Sequence, residues 1–163
     1  MKLNPRFDIR EYVPPQFWKQ HGRNSIRFVD RALIDADCEL LLDLEEHFGH
    51  SVKCHINTWA WGGTRKQCGL RVSGQRYYKP LSLHSTGRAS DKIFFYGDDA
   101  VAERAGKRIP NGLIYDFILD RQDVYWSLGI RRMESIRDAK TWIHWDTCWT
   151  PEEFTGKLQI VRG

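Results

Sequence analysis

The sequence predicts a single α+β domain, and three patterns carry that prediction. Apolar residues fall at helical density from Asp30 to Phe48 and stop at Gly49. Two strand-like runs follow, Ser51 to Trp61 and Ile93 to Tyr96. A hairpin pattern then spans Leu128 to Cys148. At 163 residues the chain is long enough to bury one core and short for two, so residues 1–163 read as one domain.

Each element has its own grounds. Asp8 to Phe17 carries Tyr12, Val13, two prolines and Phe17, and reads as extended backbone; residues 1–29 are taken as a segment docking on the domain through its aromatics. Gly22 to Phe28 reads as a turn. Leu33, Ile34, Ala36, Cys38, Leu40, Leu41, Leu42 and Leu44 then repeat at helical density, Asp30 can cap their start, and Gly49 ends them. In Ser51 to Trp61, Val52, Cys54, Ile56 and Thr58 alternate with Lys53, His55, Asn57 and Trp59, the period of a strand. A glycine-rich loop, Gly62 to Gly69, is long enough to border a site. Ile93 to Tyr96 reads as a buried strand with Asp91 at its mouth. Asp98 to Lys107 and Leu113 to Asp120 read as helices, Asp138 to Lys140 as a turn, and Leu128 to Met133 with Thr141 to Cys148 as an antiparallel pair.

Composition narrows the function classes. No apolar run approaches the ~18 residues of a membrane span, and Met1 to Pro14 lacks a signal-peptide core, so synthesis in the cytoplasm is the expectation. The net charge of +4 suits polyanions, but the basic residues are spread along the chain and no nucleic-acid motif accompanies them, so no nucleic-acid partner is expected. Cys38, Cys54, Cys68 and Cys148 show no CxxC spacing and read as free thiols, most of them buried as small apolar residues, with Cys68 in the glycine-rich loop.

The chemistry concentrates in two places. Ser82 to Asp91 sets His84 and Asp91 seven residues apart around Gly87, whose freedom lets the chain turn between them. In Trp142 to Asp146, strand alternation puts His144 and Asp146 on one face and Ile143 and Trp145 on the other. Two imidazoles and a carboxylate, with a fourth position open, make a common hydrolytic zinc set. The same spacing also fits packed, hydrogen-bonded histidines, and the residues alone leave both readings open.

Ser82-x-His84-x-x-Gly87-x-Ala89-x-Asp91, followed by Trp142-x-His144-x-Asp146, resembles the signature of the zinc D-Ala-D-Ala carboxypeptidases and peptidoglycan L,D-endopeptidases, which share their fold with hedgehog signalling domains. Asn57-Thr58-Trp59 with Gly62-Gly63, then Gly69-Leu70-Arg71, and the opening runs Phe7 to Pro15 and Asn24 to Phe28, are similar to phage-encoded members. The resemblance implies an antiparallel sheet with helices packed on one side, one zinc ion (Zn2+), and hydrolysis of peptidoglycan stem peptides, by carboxypeptidase or endolysin-type action. It implies action at the bacterial cell wall after release or as part of a virion.

Carried over by position, His84, Asp91 and His144 are the metal ligands and Arg71 holds a substrate carboxylate or the developing oxyanion. A surface ion pair is the alternative for Arg71. Ser82, bonding a ligand or a backbone group in its turn, and Asp146, orienting a ligand, are supporting residues. Several family members have an acidic residue three positions before the last zinc histidine, where this chain has Thr141. Glu134 and Asp138 are the candidates left for the proton carrier, with Glu134 preferred. That departure keeps a second function open, a non-catalytic zinc-containing module for wall binding or virion structure. His55, Trp59, Trp61, Tyr77 and Tyr78 read as cleft or packing residues.

Overall fold

A computed structural model of the chain describes residues 6–97, 108–151 and 155–163. From residue 6 the N-terminal segment buries Tyr12 and Val13 fully, and its backbone is coiled into short helices where extended backbone was expected. The Asp8 carboxylate accepts from the Arg10 N–H at 2.9 Å and the Glu11 carboxylate accepts from the Asp8 N–H at 3.1 Å. This reciprocal cap closes a 3-10 turn over Ile9–Glu11. Pro15 then occupies the first position of helix α1 (Pro15–His21), where a missing N–H costs nothing. The prolines start a helix here instead of prolonging a strand, and Gly22–Phe28 follows as 3-10 helix.

Helix α2 (Arg31–Phe48) matches its sequence pattern. Asp30 accepts from the Ala32 N–H at 3.0 Å, and Gly49 closes the far end with φ 64° in the left-handed region. Its inner face buries Leu33, Ile34, Ala36, Leu40, Leu41 and Leu44, together with Asp37 and Asp43.

Strand β1 (Val52–His55) is shorter than the alternation predicts, because the chain turns into a 3-10 segment at Trp59–Trp61. Strand β2 (Ala89–Tyr96) is longer and takes in Asp91, which therefore sits on the strand and not at its mouth. The predicted helix from Asp98 to Lys107 lies outside the described residues. Helices α3 (Asn111–Asp120) and α4 (Gln122–Ser127) follow, then strands β3 (Arg132–Glu134), β4 (Ile143–Asp146) and β5 (Gln159–Val161).

The sheet order is β1-β2-β4-β3-β5. Three pairings are antiparallel, the β3–β4 hairpin among them, but β5 runs parallel to β3, so the sheet is mixed where an antiparallel one was expected. Asp91 is the direct partner of His144, and Arg132 of Asp146.

Alternation divides the work of the strands. Val52, Cys54, Phe94, Met133 and Trp145 join α2, α3 and α4 in one core, and Ile93 and Phe95 face the other way with Trp142. The core side also carries a buried polar cluster. The Asp37 carboxylate lies 2.7 Å from Lys92 Nζ, with both side chains fully buried, and accepts from Trp145 Nε1 at 2.8 Å and the Tyr12 hydroxyl at 2.9 Å. The Lys92 ammonium also sits 4.0 Å from the centre of the Trp145 ring. Burial pulls the Lys92 amine below its ordinary pKa, against the opposing pull of Asp37.

A pH dependence follows from Glu11. Burial pushes its carboxyl up to about 8, although the Asp8 N–H bond favours the charged form. The folded chain therefore holds a proton that the unfolded chain releases near 4.5. Its contribution is greatest below about 4.5 and is lost as pH rises through about 8. Glu11→Gln, which keeps the acceptor oxygen, should flatten the fall in melting temperature across that window. Parallel slopes for the two proteins would contradict the assignment.

Candidate metal centre

His84 stands in a 3-10 turn, Leu83–Thr86, whose start Ser82 caps by accepting from the His84 N–H at 3.3 Å. Ser82 thus holds backbone and not a ligand atom. Gly87 ends the turn at φ 69°, and a Cβ there would lie 1.8 Å from the Phe28 carbonyl oxygen. Both the left-handed backbone and the close approach require glycine. Two residues later the chain enters β2, which brings Asp91 opposite His144.

The three side chains converge. Asp91 Oδ1 lies 2.7 Å from His144 Nδ1 and 3.3 Å from His84 Nε2, and one ligand atom from each residue falls within 4.8 Å of the others. His84 Nδ1 is 2.8 Å from the Gly69 carbonyl oxygen, which can only accept, so Nδ1 carries a proton and Nε2 is the nitrogen that faces Asp91 and the centre. This is the arrangement expected of a ligand histidine. Two nitrogens and a carboxylate oxygen fit a divalent metal, and Asp91, His84 and His144 are the residues that would hold it.

The second layer is also built. Arg132 donates from Nε and Nη2 to the Asp146 carboxylate at 3.1 and 3.0 Å, and Asp146 Oδ2 stands 3.7 Å from His144 Nε2. Asp146 therefore backs the far side of the His144 ring. Arg71 donates from Nη2 to Asp91 Oδ2 at 2.5 Å and from Nε to the Gln67 carbonyl at 2.7 Å. It braces a ligand while lining the cavity. Burial works against the charge on Asp91, but His84 and His144 override it and hold the carboxyl well below the usual range. Burial likewise works against a charged His144, and its bonds to Asp146 and Asp91 raise it to about 9.

The triad opens into a cavity of about 320 Å³ lined by Arg71, Lys79, Arg132, Glu134, Trp142 and Asp146 among others. Glu134 is half-buried in its wall, with Oε2 accepting from Trp142 Nε1 at 3.4 Å. Asp138, the other candidate, lies exposed in the turn after β3 and does not line this cavity. His55 packs against Phe95 at 5.1 Å and lines a separate cavity with Glu11 and Trp61, while Trp59 donates to the Val13 carbonyl at 2.8 Å; neither lines the cavity at the triad. Tyr77, Tyr78 and Trp142 line an adjoining cavity.

Sequence reasoning missed Arg132, Lys79 and the wall formed by Val161, Arg162 and Gly163. Arg132 was within reach, since it alternates with Glu134 on one strand face and belongs opposite Asp146 in the hairpin. Cys54, Cys68 and Cys148 remain free thiols, each raised above its ordinary pKa by burial. No helix among the described residues is long and apolar enough to cross a membrane. The chain matches no protein-family model, no curated protein and no solved structure, so the case for the metal centre stands on its own geometry.

Proposed function

We propose that this protein is a zinc-dependent peptidase that hydrolyses peptide bonds in bacterial peptidoglycan stem peptides. The observation that carries the reading is one cavity holding a two-histidine, one-carboxylate triad and an unligated glutamate, Glu134. A triad of nitrogen and oxygen donors with an open side suits zinc in a hydrolytic site, where the ion acidifies water and polarises a carbonyl.

The chain's own residues take the remaining roles. His84 is held at Nδ1 by the Gly69 carbonyl, and Asp91 is steadied from its outer oxygen by Arg71. Arg132 and Asp146 support His144 from behind. Glu134 accepts the proton of the attacking water and returns it to the leaving amine, with Trp142 Nε1 fixing the carboxylate between the two transfers. Arg71, lining the same cavity, offers its guanidinium to a substrate carboxylate or to the oxyanion.

The test is mass spectrometry of purified peptidoglycan digested with and without a chelator, beside metal analysis of the protein. The expected result is about one zinc per chain, stem-peptide products that vanish with chelator, and no bound zinc in His84→Ala. Full zinc occupancy without cleavage of any wall type would reject the peptidase and leave a non-catalytic zinc module.

A further inference from the structure

Between His47 and Ser90 the chain contains no aspartate or glutamate, yet it carries Lys53, Arg65, Lys66, Arg71, Arg76, Lys79 and Arg88. The fold gathers five of these, Arg65, Lys66, Arg71, Arg76 and Lys79, around one cavity of about 810 Å³. That cavity adjoins the metal centre, because Arg71, Lys79, Asp91 and Trp142 line both. Among the described residues its single acidic lining residue is Asp91, which is already engaged by Arg71, His84 and His144.

The five cations are not equivalent. Arg65 is spent on structure, donating to the Ile56 carbonyl at 2.8 Å and the Asp91 carbonyl at 3.0 Å. Arg71 commits Nε to the Gln67 carbonyl and Nη2 to Asp91, and the rest of its guanidinium fork is the part already assigned to a substrate carboxylate. Lys66, Arg76 and Lys79 are exposed, and among the described residues no carboxylate pairs with any of them. Arg76 lies 5.3 Å from the centre of the Tyr77 ring, which holds the guanidinium over the groove by stacking and leaves its donors available. Cations with no carboxylate partner among the described residues, facing one cavity with aromatic walls at Tyr77, Tyr78 and Trp142, raise the local concentration of anionic ligands and select their orientation.

We infer that Lys66, Arg76 and Lys79 form a second anion subsite, distinct from Arg71, that takes a side-chain carboxylate of an acidic peptide. The inference rests on the peptide-cleaving reading for its ligand class, since the groove leads to the metal centre where a peptide carbonyl would lie. A substrate would thus be recognised by at least two carboxylates, one at Arg71 and one along Lys66, Arg76 and Lys79. An acidic peptide suits this site better than nucleic acid, because the cations enclose a short cavity beside a hydrolytic triad and do not form a long stripe.

The test uses the zinc-loaded protein and alanine tetrapeptides carrying one glutamate at each position in turn, with glutamine counterparts. Binding is read by calorimetry and cleavage by mass spectrometry. In at least one position the glutamate peptide should bind about tenfold more tightly than its glutamine twin. Lys66→Gln with Arg76→Gln should remove that preference, both being exposed positions that leave the fold intact, and added salt should weaken it. Equal binding of every glutamate and glutamine pair would overturn the subsite, whether or not the peptides are cut. Preference lost in the variant but no cleavage anywhere would uphold the subsite and reject the peptidase. A single-stranded oligodeoxynucleotide that binds more tightly than every peptide would overturn the acidic-peptide assignment.

Discussion

Glu134→Gln is expected to lower peptide hydrolysis roughly 10²- to 10⁴-fold while leaving the metal content unchanged. The amide is nearly isosteric and keeps an oxygen for Trp142 Nε1, so the cavity wall should hold its shape. It cannot carry the proton. Glu134 is not one of the converging ligands, so metal analysis separates loss of proton transfer from loss of the ion. The comparison is Asp138→Asn, at an exposed turn position, which should retain near-parent turnover. The reverse pattern, with Asp138→Asn inactive and Glu134→Gln active, would move the proton carrier to the turn.

The second large effect is on stability. Asp37→Ala should destabilise the fold by about 3–5 kcal/mol, because it leaves the Lys92 amine fully buried and without its partner. It also strips an acceptor from Trp145 Nε1 and the Tyr12 hydroxyl. Adding Lys92→Met to that variant should recover much of the loss, since removing both members of a buried pair is far less costly than removing one. Denaturant unfolding of the parent, the two single variants and the double variant closes the cycle. Additive losses would mean that the pair is not coupled.

Helix α2 was legible because a capping aspartate, a long apolar stripe and a terminal glycine all act within the helix itself. The N-terminal region was misread for a physical reason: Pro15 satisfies an extended chain and a helix start equally well, and the reciprocal cap between Asp8 and Glu11 decides between them. Helix α4 carries no assignment from sequence because its short Gln122–Ser127 run holds Val124, Tyr125 and Trp126, residue types that favour strands. Strand β5 is three residues long and exists only by pairing with β3, a long-range event with no local mark.

The site divides in the same way. A turn glycine and strand alternation make His84, Asp91 and His144 candidates but leave packed histidines equally open; the resemblance names them as a set, and the pairing of β2 with β4 sets Asp91 beside His144. Arg132 behind Asp146, and the Gly69 carbonyl behind His84, depend on which segments become neighbours. So does the gathering of Lys66, Arg76 and Lys79, which along the chain are merely basic residues in a loop.

The Asp91–His144 pairing has one more consequence. Ser90, Lys92 and Trp145 face the core from the same two strands that turn Asp91 and His144 toward the cavity. A slip of β4 by one residue would send His144 into the apolar interior and lift Trp145 into water. Such a slip would also take the Trp145 indole away from Asp37. The charge cluster behind the sheet thereby tests the alignment of the strands in front of it, and a misaligned chain would lose its ligand geometry and its interior together.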